Sequence, residues 1–232
     1  MRFVWILLLC MLLPQVSLAQ QSHLSQRQLP EKLKLPNIQF VVMDRDFVKY
    51  EEPKRTTPSP EPQIEIIYFY YYGSPWAYKI DKPLRTWAQT RPYNVKFITV
   101  PVYFDGNNYA LLSARIHYAL VALGQEQRLS SLFMQAVQEN RVDLKKMSSV
   151  MVWMENHNVS KKEFLRALNS KEVKSSVAAL ASVAKRYGVV STPSIVLEGQ
   201  YLIAANEKRS PERVLALTKF MADKLSQGGP RP

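Results

Sequence analysis

The longest apolar run in the body of the chain, Ile64 to Tyr72, predicts a strand. Side chains at both odd and even positions are apolar or aromatic, as is typical of a central strand covered on both faces. The run is followed by Ser74 and Pro75, which favour a helix N-cap and a first helical position. A helix is therefore predicted from Pro75 to Thr90, and Val95 to Val102 forms the next strand. The order is β-α-β.

The middle of the chain changes to helical spacing, with apolar residues three and four positions apart. Ser160 and Glu163 have the spacing of a capping box, and Asp143 is predicted to cap the helix before it. Four helices are predicted in this block: Tyr109 to Leu123, Gln125 to Asn140, one with the stripe Met147, Val150, Met151 and Met154, and one ending at Leu168.

The last third of the chain returns to a mixed pattern. A helix beginning at Ser170 or Lys171 ends near Tyr187, and Ser210 with Pro211 opens the last helix. Between them, two short apolar runs surround a Glu-Gly-Gln turn and predict a hairpin. These strands are Ser194 to Leu197 and Tyr201 to Ala204.

The first 63 residues contain a targeting signal and a connector. Arg2, the 11 apolar residues Phe3 to Leu13, and the small residues up to Ala19 predict a cleaved secretory signal over residues 1–19. Because a bilayer span needs roughly 20 apolar residues, no span is expected after cleavage, although an uncleaved anchor is an alternative. Residues 20–63 are predicted to be flexible and Pro-rich, with an edge strand at Ile38 to Met43.

Composition then restricts the chemistry. The 232 residues are 47% hydrophobic and 22% charged, which is a globular composition. The single cysteine, Cys10, lies inside the predicted signal, so the mature chain has no thiol. This excludes a disulfide scaffold, a cysteine zinc site and a redox pair of cysteines. His23, His117 and His157 lack metal-ligand spacing, so no metal is expected.

The formal net charge of +12 comes from dispersed basic residues that we interpret as solvated helix faces. Lys79 and Asp81 are likewise expected to be exposed helix charges. No basic and aromatic nucleic-acid motif is present, so nucleic acid is not a predicted partner. An exported basic protein meets anionic lipids, envelope polymers and acidic partners instead.

Two segments carry a resemblance to a known family. Tyr71 to Tyr78 (YYGSPWAY) resembles the active-site segment of DsbA-like thiol:disulfide oxidoreductases, in which Cys-Pro-His-Cys begins a helix. Gly188 to Leu197 (GVVSTPSIVL) is similar to the loop in which the family carries a cis-proline facing that site. The resemblance implies a cis bond between Thr192 and Pro193, and it covers about Ile64 to Leu225.

The resemblance implies an α/β thioredoxin-like fold with an inserted all-helical subdomain. Residues 64–105 and 171–227 would form the thioredoxin-like domain, and residues 106–170 would form the insertion. Ser74 stands at the position of the nucleophilic cysteine and Ala77 at that of the resolving cysteine. Because a hydroxyl cannot replace a thiol in disulfide exchange, the expected protein is redox-inactive.

Three roles for Ser74 remain open. It can act as an N-cap only. It can bind glutathione, because Ser-Pro-Trp-Ala-Tyr also resembles a segment of kappa-class glutathione transferases and hydroxychromene-carboxylate isomerases, in which a serine hydroxyl donates to the glutathione sulfur. A role as hydrolytic nucleophile is disfavoured, because no Gly-x-Ser-x-Gly elbow or recognisable triad surrounds it.

Our hypothesis from the sequence is a periplasmic protein that binds a polypeptide or an envelope assembly, as chaperone or adaptor. The resemblance implies a groove that holds extended peptide, with Tyr72, Trp76, Thr192 and Pro193 as its contact residues. Trp76 replaces the family's histidine. No cofactor is expected under this hypothesis, and glutathione is the ligand under the enzymatic alternative, a transferase or isomerase that uses Ser74.

Overall fold

The computed structural model describes residues 47–49, 64–91, 94–104 and 107–227. The predicted signal, the predicted strand at Ile38 to Met43 and the Pro-rich connector lie outside the described residues. None of the described helices combines the length and apolar character needed to cross a membrane.

A five-stranded mixed sheet forms the centre of the fold, in the order β1, β5, β4, β2, β3. Strand β2 is parallel to β3 and antiparallel to β4, and a short β1 pairs with β5 at one edge. The strands are β1 (Val48–Lys49), β2 (Ile64–Tyr70), β3 (Val95–Pro101), β4 (Ser194–Leu197) and β5 (Tyr201–Ala204).

Seven helices surround this sheet in the described part of the chain. Helices α2 to α5 follow β3 consecutively and form the predicted insertion, and α6 leads back to β4. The helices are α1 (Pro75–Gln89), α2 (Asn108–Ala122), α3 (Glu126–Gln138), α4 (Met147–Asn156), α5 (Lys161–Leu168), α6 (Lys171–Arg186) and α7 (Pro211–Ser226). The thioredoxin-like α/β fold with a helical insertion is confirmed.

Strand β2 is buried on both faces, which explains its unbroken apolar pattern. On one face, Phe69 packs against Tyr187 at the end of α6, with ring centroids 5.7 Å apart. On the other face, the Tyr68 hydroxyl donates to the carbonyl of Ala77 in α1 at 3.4 Å. Strand β2 therefore leads directly from the core into α1.

Serine caps account for the predicted helix starts at Ser74, Ser170 and Ser210, each of which accepts a backbone N–H from the first turn. The prediction that Asp143 caps α4 is wrong. The N-cap is Lys146, while the Asp143 carboxylate accepts the backbone N–H of Lys145 at 2.8 Å. A side chain can cap only the helix end it reaches, and this one closes the preceding turn.

Candidate functional site

The first turn of α1 is organised around the hydroxyl of Ser74. Its Oγ accepts the backbone N–H of Ala77 at 3.2 Å, and its backbone carbonyl accepts the N–H of Tyr78 at 3.0 Å. Ser74 is only 4% exposed and Ala77 is fully buried. The hydroxyl thus lies at the positive end of a 15-residue helix, where free amide groups favour an electron-rich atom.

The loop before β4 closes the other side of Ser74. Thr192 Oγ1 donates to Ser74 Oγ at 2.8 Å, and the Ser74 hydroxyl donates back to the Thr192 carbonyl at 3.3 Å. The peptide bond between Thr192 and Pro193 is cis, as the resemblance implied. Two segments that are 118 residues apart in sequence therefore meet at a single hydroxyl.

Each of the two segments also carries an exposed apolar side chain. Trp76 in the first turn of α1 is 39% exposed, and Val190 in the loop before Pro193 is strongly exposed. We give the name Ser74 groove to the candidate binding surface at Ser74, Trp76, Val190, Thr192 and Pro193, of which Ser74 and Pro193 are themselves buried. Of the predicted contact residues, Thr192 contacts Ser74 directly, Trp76 is partly exposed two residues further along α1, and Pro193 is buried next to Thr192.

Tyr72 does not line the Ser74 groove, and its predicted contact role is wrong in this respect. Its side chain is fully buried under the helical insertion, where its hydroxyl meets Ser130 Oγ at 2.8 Å. Its backbone N–H donates to Ser113 Oγ, and its carbonyl accepts from the side chain of Gln138. These side chains take the place of strand partners, which is why β2 ends two residues earlier than predicted.

A buried polar cluster lies beneath the site. The Tyr70 hydroxyl is 2.8 Å from His117 Nδ1 and 3.0 Å from Ser130 Oγ. The Arg85 guanidinium lies 5.3 Å from the centroid of the Tyr70 ring. Burial raises the pKa of Tyr70 to about 12, so its hydroxyl stays neutral.

Arg85 is the central charge of this cluster. Its Nε donates to Asp81 Oδ1 at 2.9 Å, its Nη1 to Glu126 at 2.8 Å and its Nη2 to Ser130 at 3.2 Å. Asp81 is 1% exposed, so the expectation of an exposed helix charge is wrong. Asp81 and Arg85 are one helical turn apart in the sequence, whereas the contact of Arg85 with Glu126, the first residue of α3, is visible only in the structure.

In the described part of the chain, no general base is positioned to remove the proton of the Ser74 hydroxyl. Among the described residues, neither a histidine nor a carboxylate is a hydrogen-bond partner of its hydroxyl, and no group of His, Cys, Asp and Glu could hold a metal ion. Burial, and then the Arg85 charge, lower the pKa of His117 from 6.5 to about 3. His157 stacks on Trp153, with ring centroids 3.7 Å apart. Both histidines thus pack against neighbouring aromatic side chains.

The low pKa of His117 makes a prediction about acid stability. The unfolded chain protonates this imidazole below pH 6.5, whereas the folded protein keeps it neutral down to about pH 3. The stability that the protein gains from keeping His117 neutral is therefore complete above pH 6.5 and is lost as the pH falls towards 3. When the pH is lowered from 7 to 5, we expect the unmodified protein to lose about 2 kcal/mol more of its free energy of unfolding than the His117→Gln variant loses. Urea unfolding at both pH values measures this, and equal losses would contradict it.

A cavity of about 460 Å³ opens on the insertion side of the site. Its walls come from Tyr71 and Gly73 before α1, from Asn107 and Tyr109 at the start of α2, and from the end of α3 with the α3–α4 connection. Sequence reasoning missed this cavity. No local pattern indicates it, because its walls come from segments that are distant in sequence.

Comparison with known proteins agrees with this architecture. Residues 65–215 match the DSBA-like thioredoxin domain. The thiol:disulfide interchange protein DsbA of Pseudomonas syringae pv. tomato is 25% identical over 177 residues, which cover 76% of this chain and 82% of that protein. An uncharacterized protein of Haemophilus influenzae is 26% identical over 184 residues, covering 79% of this chain and 77% of that protein.

Solved structures give the same fold. The crystal structure of oxidoreductase DsbA from Xylella fastidiosa superposes with a TM-score of 0.70 at 23% identity, covering 83% of this chain and 99% of that one. DsbA from Pseudomonas aeruginosa gives a TM-score of 0.67 at 22% identity, covering 79% and 93%. At these identities the superpositions speak for the fold only.

Proposed function

This chain belongs to the family of DSBA-like thioredoxin domains, and from that membership we propose that it is an exported, redox-inactive member that binds polypeptide. One observation carries the proposal. A hydroxyl, that of Ser74, lies at the helix N-terminus opposite the cis-proline loop, with a methyl group at Ala77 behind it. The mature chain predicted from the sequence has no thiol, and disulfide exchange needs one.

The Ser74 groove supports a binding role. Trp76 offers a large, partly exposed apolar surface, and Val190 offers another on the facing loop. A strand-like segment placed between them would lie beside the loop that leads into β4, where main-chain hydrogen bonds can hold extended peptide. Such contacts tolerate many sequences, which suits a chaperone or an adaptor.

Export through the predicted signal would place the protein in the periplasm, among unfolded and assembling envelope proteins. The thiol-free chain supports this, because it could bind cysteine-containing clients in an oxidising compartment without forming mixed disulfides. Removal of Arg2 with the signal would lower the net charge from +12 to +11, and this positive charge would favour acidic clients during encounter.

Removing the indole tests the groove directly. We expect Trp76→Ala to weaken binding of fluorescein-labelled, reduced and carboxamidomethylated α-lactalbumin by about tenfold, because a contact tryptophan is a typical hot spot. Fluorescence anisotropy measures the affinity, and insulin reduction is assayed in parallel. The control is Val152→Ala, an exposed apolar residue on α4. Unchanged binding in Trp76→Ala, or thiol-dependent turnover by the unmodified protein, would contradict the proposal.

The glutathione alternative requires the Ser74 hydroxyl to donate to a bound sulfur. In the structure this hydroxyl donates to the Thr192 carbonyl and accepts from two protein groups, so binding would have to break that contact. The polypeptide hypothesis needs no such change and is preferred. Calorimetry with millimolar glutathione separates the two, because heat of binding that disappears in Ser74→Ala would favour the enzyme.

A further inference from the structure

The cavity beside Gly73 is a second candidate binding site, lined mainly by residues with polar side chains. We propose that it binds a neutral saccharide, as a free sugar or as one unit of a glycan, which is a function beyond polypeptide binding. Its volume of about 460 Å³ falls in the range of ligand pockets, roughly 300–1,000 Å³. The polar side chains of the lining are those of Tyr71, Asn107, Tyr109, Asn140, Asp143 and Lys145.

Much of the hydrogen-bonding capacity of these side chains is not used by the protein. The Asn107 side-chain carbonyl accepts the N–H of Ala110 at 3.0 Å, which leaves its NH₂ group as a donor. The side-chain amide of Asn140 and the hydroxyls of Tyr71 and Tyr109 have no hydrogen-bond partner among the described residues. Amides and hydroxyls both donate and accept, and so do the hydroxyl groups of a sugar. A ligand with many hydroxyls therefore matches this lining.

The charges of the lining favour a neutral ligand. Asp143 and Lys145 have opposite charges, and the Asp143 carboxylate also lies 3.7 Å from the Lys146 ammonium. The Lys145 ammonium lies over the Tyr109 ring, 5.6 Å from its centroid. An anion in the cavity would meet the Asp143 carboxylate, and a cation would meet the Lys145 ammonium. A sugar hydroxyl can donate to the first group and accept from the second.

Two tyrosine rings supply the apolar part of the lining. Tyr109 is still 45% exposed although Lys145 lies over its ring. A Cβ atom at position 73 would lie 2.7 Å from Cε2 of Tyr71, so the Tyr71 ring packs against the backbone of Gly73. One face of a pyranose ring consists of C–H groups, which pack on aromatic rings while the hydroxyls at the rim form hydrogen bonds. Rings beside unused amides therefore suit a sugar better than an open-chain polyol.

The α3–α4 connection holds the polar groups in place before any ligand binds. The backbone N–H of Val142 donates to the carbonyl of Ala136 in α3 at 3.1 Å. Val142 and Leu144 are buried, whereas Asp143 and Lys145, which alternate with them, are accessible. The buried pair thus anchors the segment and leaves the two charged residues in the lining. Because little has to be ordered on binding, a small ligand can bind measurably.

Titration of the ¹⁵N-labelled protein with small saccharides, followed by NMR, tests the site. The probes are glucose, N-acetylglucosamine and their disaccharides cellobiose and N,N′-diacetylchitobiose. Glycerol is the control, because it has hydroxyls but no ring face. We expect at least one of the four sugars to cause saturable shifts confined to the amides around Tyr71, Asn107, Asn140 and Lys145, and glycerol to cause none. A disaccharide that binds about tenfold more tightly than its monosaccharide identifies a glycan, and equal affinities identify a free sugar.

Two variants alter the lining without changing the core. Tyr109→Ala removes an exposed ring, and Asn140→Gly removes an exposed amide while keeping the left-handed backbone at φ 57°. Each should weaken sugar binding about tenfold, because a ring contact or a hydrogen bond is lost. The matched control is Val121→Ala, which lies on the same helix as Tyr109 and is equally exposed, 48% against 45%. It should bind the sugar with unchanged affinity.

The outcomes separate this site from the proposed polypeptide binding. Binding of carboxamidomethylated α-lactalbumin should be the same in both lining variants and in the unmodified protein. If none of the four sugars binds, or if both variants bind the sugar as tightly as the control does, the saccharide inference is wrong and the proposed function is unaffected. If α-lactalbumin rather than a sugar shifts the amides around the cavity, the cavity belongs to the polypeptide site and the saccharide inference is again wrong. Sugar binding without polypeptide binding would contradict the proposed function alone.

Discussion

The double variant Ser74→Cys, Ala77→Cys is expected to close an intramolecular disulfide under mild oxidation. Ser74 Oγ already lies 3.2 Å from the backbone nitrogen of Ala77, so a sulfur at position 74 faces the first turn of α1. Residues three apart on a helix lie on the same side of it, within the reach of a disulfide. The change would restore the chemistry that the natural side chains lack.

The thiol introduced at position 74 should also be unusually acidic. The helix N-terminus and the Ala77 N–H favour a negative atom there, and Thr192 Oγ1 is a second donor. Each stabilises a thiolate more than a thiol, so the pKa should fall from about 8.5 to below about 7.5. The thiol at position 77 is placed in a fully buried environment and should react slowly.

Alkylation by iodoacetamide as a function of pH, followed by mass spectrometry, measures both properties. The control is Ser74→Cys alone, which should have the acidic thiol without the intramolecular crosslink. Insulin reduction should rise from none to a measurable rate in the double variant. An ordinary thiol pKa and no crosslink would mean that Ser74 does not occupy the electropositive helix end that the structure assigns to it.

Replacing Arg85 with methionine is expected to lower the free energy of unfolding strongly. Its guanidinium is paired with Asp81 and Glu126, and the side chains of all three are mostly buried. Arg85→Met keeps an apolar stem but leaves two carboxylates without their cation. Breaking a buried pair in this way costs about 3–5 kcal/mol. Urea unfolding at neutral pH measures the loss.

An exposed pair provides the matched control. Arg141 lies 2.7 Å from Glu139 with both side chains in solvent, so Arg141→Met should cost less than about 1 kcal/mol. Adding Asp81→Asn to Arg85→Met should recover part of the loss, because one unpaired charge is removed. If the Arg85 and Arg141 variants lose equal stability, the cluster does not behave as a buried ion pair.

The order and type of the elements could be predicted from local patterns. The two-sided apolar run of β2, the serine caps at Ser74, Ser170 and Ser210, and the short hairpin are all encoded within a few neighbouring residues. The motifs also identified the two segments of the site, and the lack of thiols in the predicted mature chain is a matter of composition. The fold class thus follows from local patterns, and the composition predicts that thiol redox chemistry is absent.

The meeting of side chains from distant segments depends on tertiary packing and could not be predicted from local patterns. Tyr72 is buried under the insertion, Asp81 is neutralised by Arg85, and the cavity beside Gly73 is formed by helices more than 30 residues further along the chain. Periodicity reports which side of an element faces inward, but not which element covers it. Burial, ion pairing and cavity shape depend on which element covers which. The contact surfaces of the site therefore follow from packing.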